Sequence, residues 1–171
     1  AENLYKEILK INLNHVDAHN NLGMVFKELG EFQKAVDCHQ KAIQIQPEDA
    51  YAHYNLGLVF KELGELQKAV DCYQKVIQIQ PDRVEDAHIG LGVVFKELGE
   101  LQKAISCYEK AILINPNYAE AHYNLGISLK ELGELQKAIS CYEKAILINP
   151  NYSDAYWNLH SLASNIDEAL T

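Results

Sequence analysis

Along this 171-residue chain, apolar residues recur three and four apart in short paired runs, the spacing that lines one face of a helix. In one such pair the apolar places are Leu56, Phe60 and Leu63, then Leu66, Ala69, Val70, Tyr73, Val76 and Ile77. Gly64 breaks the rhythm between the two runs, where the end of a helix turns through the left-handed region that glycine enters most readily. Pro81 stops the second run, and acidic pairs such as Glu48-Asp49 and Glu85-Asp86 suit the start of the next helix. The pattern predicts a helix, a tight turn and a second helix, and then it repeats. Residues 97–118 recur letter for letter as 131–152. Leu-Gly returns at Leu22-Gly23, Leu56-Gly57, Leu91-Gly92 and Leu125-Gly126, and proline at Pro47, Pro81, Pro116 and Pro150. The one residue out of step is Val84, in the connection after Pro81. A single helical hairpin cannot bury its own apolar face, whereas stacked neighbours share a continuous core.

A 34-residue period carrying Leu56, Gly57, Phe60, Ala69, Tyr73 and Pro81 at these places resembles the tetratricopeptide repeat (TPR). The resemblance implies an all-α fold, a right-handed α-α superhelix or solenoid of stacked helix-turn-helix units. The registers place units at residues 16–49, 50–83, 85–118 and 119–152, with Val84 the extra residue in the connection. Residues 1–15 read as the second helix of a preceding unit, with Ala1, Tyr5 and Ile8 in its packing places. Residues 153–171 read as the first helix and a truncated second helix of a further unit, the second opening near Asn165. With ends of this kind the chain is expected either to be a segment of a longer polypeptide or to pack its ends on something else. Leu4, Tyr5, Ile8, Leu159, Leu162 and Ile166 are then left without stacking partners, and end-to-end self-association is expected. Gly57 and Ala69 let the two helices of a unit approach closely. The departures from the family pattern are His19, His53, His88 and His122 where tryptophan is frequent, His39 for an aromatic, and Val76 for alanine.

Composition narrows the function. A hydrophobic content of 48% is too high for a disordered chain. A formal net charge of −9 disfavours nucleic acid, whose binding rests on cationic contacts to phosphate. No apolar run approaches the roughly 20 residues that span a bilayer, and no basic-then-apolar leader is visible, so no membrane role and a cytoplasmic location are expected. Cys38, Cys72, Cys107 and Cys141 occupy one place in successive units. Equivalent places on stacked helices lie about 8–10 Å apart, beyond the roughly 7 Å that a disulfide bridges between Cα atoms. They read as packing residues, and reduced thiols fit the cytoplasm. The same spacing separates the histidines at 19, 53, 88 and 122, too far for one metal whose ligands sit about 2.0–2.1 Å away. Gly90-Leu91-Gly92 lies mid-helix after no strand, so it is no phosphate loop. No nucleophile, base and orienting group converge. The expectation is no enzyme in this segment, no cofactor and no metal.

Function should then lie on the helix face that packing leaves over. Opposite Leu56, Gly57 and Phe60 stand Tyr51, Tyr54, Asn55, Leu58, Lys61 and Glu62. In the TPR family that face lines a concave groove where ligands dock. Unit by unit it carries Asn20, Asn21 and Met24; Tyr54, Asn55, Leu58 and Lys61; Ile89, Gly90 and Val93; Tyr123, Asn124 and Ile127; Trp157 and Asn158. A carboxamide both donates to and accepts from a peptide backbone, and apolar neighbours supply side-chain pockets. The competing account is that these residues fill the seams between units. The asparagine row, Asn21, Asn55, Asn124 and Asn158, is similar to that of the superhelical array of O-linked N-acetylglucosamine transferases and their bacterial relatives, which implies a grip on peptide backbone. The subfamily that clamps acidic tails needs basic groove residues, whereas one such place here carries Asp17, Tyr51, Asp86, Glu120 and Asp154. The expected function is a protein–protein interaction scaffold binding an extended peptide along the groove. The alternative is a substrate-recognition or assembly segment of a larger enzyme such as a glycosyltransferase or sulfotransferase. Gly90, breaking the asparagine row next to Val84, is expected to mark a close approach and to divide the groove in two.

Overall fold

A computed structural model of the chain describes residues 2–79 and 84–170, with side chains described as far as Ser164. The expectations for Ala1, for Pro81, for the unit boundary at residue 83 and for the Ile166 side chain fall outside the described residues. Among the described residues there are ten α-helices and no strand. They are α1 (Glu2–Ile11), α2 (Val16–Glu28), α3 (Phe32–Ile45), α4 (Ala50–Glu62), α5 (Leu66–Ile79), α6 (Glu85–Glu97), α7 (Leu101–Ile114), α8 (Ala119–Glu131), α9 (Leu135–Ile148) and α10 (Ser153–Leu170). The architecture is an all-α helical solenoid built from hairpins. By its contacts the chain divides into two compact units, Ala1–Val94 and Phe95–Thr171.

The turns inside the hairpins form for the reason glycine supplies. Gly30, Gly64, Gly99 and Gly133 stand at φ of 74°, 72°, 76° and 79°. In each turn the glycine N–H and the next N–H reach back to carbonyls of the preceding helix, as with Gly64 to Lys61 at 2.9 Å and Glu65 to Phe60 at 2.9 Å. The connections between hairpins are held differently. The His53 ring is 2.9 Å from the Pro47 carbonyl, as His19 is from that of Leu13, and His122 is 3.0 Å from that of Pro116. These histidines each reach back six residues and tie the connection to the helix that follows it. Asp49 caps α4 by accepting from the Tyr51 and Ala52 amides at 3.0 and 3.2 Å. Val84 stands at the corresponding place before α6, buried, with its carbonyl accepting from His88 N at 2.8 Å.

In the first unit α2 packs on α3, α4 on α5, and α3 on α4. Small residues line these seams: Ala35, Ala42, Ala52 and Ala69 are wholly buried. The wholly buried Tyr73 ring lies where a Cβ at Gly57 would come within 2.9 Å of it, and one at Gly90 within 2.7 Å. One ring on α5 is thus seated on bare backbone from both α4 and α6. His39 makes the same contact with Gly23, where a Cβ would meet the ring at 2.7 Å. In the second unit α8 packs on α9 and α9 on α10, and Tyr142 lies 2.6 Å from the place of a Cβ on Gly126. The close approach expected at Gly90 is therefore to the Tyr73 side chain.

Two expectations for the end of the chain need correction. Residues 153–170 form one continuous helix, α10, with no break near Asn165. The place that Gly133 fills in α8–α9 is held by Asp167, so the residue that turns the other hairpins is absent. Leu162, expected to lack partners, is buried.

Helix propensity alone would make Gly90→Ala stabilising by about 1 kcal/mol. With a Cβ 2.7 Å from the Tyr73 ring the overpacking term, about 1–3 kcal/mol, decides the sign. Urea unfolding is expected to show Gly90→Ala and Gly57→Ala both less stable than the parent chain.

Candidate functional site

The face left over by packing is less uniform than its sequence. On α4, Tyr51 is 53% exposed, while Tyr54 is half-buried with its ring 5.7 Å from that of Tyr73. On α8, the half-buried Tyr123 ring lies 5.9 Å from that of Tyr142 and 4.8 Å from that of Tyr152. Tyr54 and Tyr123 therefore serve the seams as well as the face. Trp157 on α10 is 70% exposed. Met24, Leu58 and Ile127 are half-buried, as is Lys61, which pairs with Glu62 at 3.4 Å.

The asparagine row splits into committed and open members. Asn158 is buried, and both ends of its carboxamide are used. Its Oδ1 accepts from Lys130 Nζ at 2.9 Å, and its Nδ2 lies 2.9 Å from the Asp154 carbonyl and 3.2 Å from the Tyr123 hydroxyl. Burial, followed by the nearby Asp154 carboxylate, raises the Tyr123 phenol pKa, and the bond from Asn158 opposes this. Asn55 is only 2% exposed, with its Nδ2 buried and without a hydrogen-bond partner. Asn21 and Asn124 stay half-buried. The row is thus not four equivalent groups presented to a ligand. Gly90 and Val93 are half-buried, and Ile89 is buried and belongs to the core.

Asn20, placed on the same stripe by the sequence, turns inward and builds a polar cluster that the sequence did not reveal. Its Nδ2 donates to Asp49 Oδ2 at 2.7 Å. Because a carboxylate only accepts, the amide orientation is fixed, and Oδ1 faces His39 Nδ1 at 3.3 Å. His39 must then donate from Nδ1 and keep Nε2 unprotonated, buried and without a partner. Burial first, and the Lys27 charge second, push the His39 pKa down to about 4, against a smaller upward pull from Asp49. The signal was present in the sequence as a coincidence: Asn20 and His39 stand where the next hairpin has the stacked pair Tyr54 and Tyr73.

The other candidate groups are quiet. All four cysteines are free. Burial pushes Cys38 and Cys141 up to about 11 and Cys72 to about 12, and raises Cys107, which suppresses the reactive thiolate. Among the described residues no three potential ligands cluster for a metal ion, and no helix is long and apolar enough to cross a membrane.

A family model described as "TPR repeat" matches residues 23–64 and 92–133, and one described as "Tetratricopeptide repeat" matches 50–83 and 119–152. No curated protein sequence matches the chain. Among solved structures, a crystal structure of MamA superposes with a TM-score of 0.79 at 29% identity, over 90% of this chain and 89% of that one. MamA 41-end from Desulfovibrio magneticus RS-1 gives 0.78 at 22% identity, over 89% and 85%. YrrB, described as a TPR protein with an unusual peptide-binding site, gives 0.76 at 22% identity, over 98% and 86%.

The His39 geometry carries a pH dependence. The unfolded chain binds a proton at this ring near the ordinary histidine value of 6.5, and the folded one only at about 4. Stability is full above pH 6.5 and falls as pH drops toward 4, by roughly 2–3 kcal/mol from this group. The double variant Asn20→Tyr/His39→Tyr copies the neighbouring hairpin and removes the titrating ring. Chemical unfolding at pH 7 and pH 4.5 is expected to show a smaller acid-induced loss in the variant.

Proposed function

The chain belongs to the tetratricopeptide repeat family, and on that footing we propose that it is a protein-interaction scaffold in which each compact unit offers one face to an extended partner peptide. In the first unit the face comprises Asn21, Met24, Tyr54, Leu58 and Lys61; in the second it comprises Tyr123, Asn124, Ile127 and Trp157. The observation that carries the reading is Trp157, a large aromatic left 70% exposed at the place on α10 that Tyr123 holds on α8. Exposed amphipathic aromatics are what binding surfaces retain and ordinary surfaces avoid. Asn21 and Asn124 supply the backbone grip. Asn55 and Asn158 act from behind, Asn158 by holding Lys130 and the Tyr123 hydroxyl in place. The peptide-binding site named for YrrB supports this reading by analogy of fold.

A random peptide library displayed on phage tests it. Bound peptides are then titrated against the chain, whose single tryptophan is Trp157, by intrinsic fluorescence and by calorimetry. Asn124→Ala is expected to weaken binding by about 1–3 kcal/mol, and Trp157→Ala by a similar amount. Selected peptides that bind both variants as well as the parent would show that this face is not the site.

The same scaffold reading extends to copies of the chain. No residue of α1 is buried, and Leu4 and Ile11 are 62% and 89% exposed. Sedimentation is expected to show association that grows with concentration and weakens in Leu4→Glu/Ile11→Glu; a strict monomer at high concentration would exclude it.

A further inference from the structure

The second helices of the second unit carry a different outer stripe from those of the first. Along α3 and α5 the stripe reads Asp37, Gln40, Lys41 and Gln44, then Asp71, Gln74, Lys75 and Gln78. On α7 and α9 the same places hold Ser106, Glu109, Lys110 and Leu113, then Ser140, Glu143, Lys144 and Leu147, all of them exposed. Leu113 is 81% exposed and Leu147 73%. Toward the amino ends of these two helices lies a hollow of about 530 Å³, bordered by Ser106 and Ser140 and lined with Ile105, Leu125, Leu129 and Cys141. We propose that this face pairs with the same face of a second copy of the chain, in a two-fold dimer where the leucines of each copy enter the hollow of the other. The peptide face proposed above lies on first helices, so either reading can fail without the other.

A second copy fits because knob and hole sit on one face. A two-fold contact requires a surface that complements itself. Let α7 lie antiparallel to α7 of the second copy, with the axis level with residues 109 and 110. Leu113 then falls opposite Ser106 and Leu147 opposite Ser140, the two serines that border the hollow. Serine leaves room there, whereas the first unit has the carboxylates of Asp37 and Asp71 at these places. The charges agree with the same register. Glu109 meets Lys110 of the second copy, and Glu143 meets Lys144 of the second copy. Among the described residues none of these four side chains forms a salt bridge within the chain. Two copies that each carry a net charge of −9 repel over most of their surface. This patch is balanced, and in that register every charge finds its opposite.

Size limits the affinity. Two helices of 14 residues side by side present a face about 21 Å long and about 20 Å wide. That is toward the small end of specific interfaces, so the dimer is a weak one that exchanges with monomer.

Sedimentation equilibrium tests the proposal on the full chain carrying Leu4→Glu/Ile11→Glu, which removes the contact expected of α1. A dimer that grows no further is expected, because a two-fold contact closes on itself. Leu113→Gln/Leu147→Gln installs the residues that the first unit carries at these exposed places, so the fold is retained. That variant is expected to weaken the dimer by about tenfold or more. Exchanging the charges identifies the partner. Glu109→Lys/Glu143→Lys and Lys110→Glu/Lys144→Glu are each expected to associate about tenfold more weakly alone than in an equal mixture of the two. Such a rescue requires that the patch face its own copy. A chain that stays monomeric up to millimolar concentration overturns the proposal, as does association untouched by the glutamine variant or a mixture no tighter than its components. Library peptides that bind a monomeric parent and are lost in the glutamine variant would assign the face to a different protein, and would overturn it equally.

Discussion

An aromatic ring pressed onto backbone that lacks a Cβ holds these hairpins at their working distance. Tyr73 on Gly57 and Gly90, Tyr142 on Gly126 and His39 on Gly23 are one contact repeated. Each approach is so close that any Cβ would fall within 2.9 Å of the ring, less than a side chain tolerates. Buried alanines such as Ala35, Ala69 and Ala138 keep the rest of the seam equally tight. In an interior packed this densely a methyl group more or less is felt as energy, so these small positions are constrained as firmly as the large ones.

The exposed face inherits its order from those seats. Tyr54 and Tyr123 lean on the seated rings of Tyr73 and Tyr142, which places a phenol edge on the surface while its body stays in the seam. Where the first hairpin exchanges the two tyrosines for Asn20 and His39, packing is replaced by hydrogen bonds that reach Asp49, the residue that also caps α4. That arrangement couples the first hairpin to the start of the second, and it ties the coupling to an unprotonated imidazole.

Sequence reading succeeded wherever a rule is local. The helical spacing located both helices of each hairpin, and the glycine before each second helix has the positive φ that its place implies. The histidine ladder read as structural, and three of its members do hold carbonyls six residues back. It failed where partners come from different helices. The carboxamides of the asparagine row looked equivalent, yet one is locked between Lys130 and Tyr123, residues 28 and 35 positions away. Nothing in the spacing of Asn158 shows that. Nor did the spacing show that Asn20 turns inward, since its direction is set by Asp49 on the next hairpin. The end of α10 was misread for another reason: similarity to the start of a second helix was followed where the turning glycine is missing.

The double seat of Tyr73 also limits how such an array evolves. Gly90 takes its meaning from a ring one hairpin earlier, so exchanging this hairpin for another copy changes the contact made on that ring. A copy of α8 in its slot would bring Asn124 to the place of Gly90 and set a side chain on that ring. An exchange that spares the first half of α6 keeps the Gly90 contact. The letter-for-letter duplication of 97–118 as 131–152, to which Lys96 and Lys130 also belong, begins in the last turn of α6, so it leaves Gly90 outside the copied stretch. A hairpin exchanged at the ends of two successive first helices, those of α4 and α6, would therefore carry Tyr73 and Gly90 together as a matched pair.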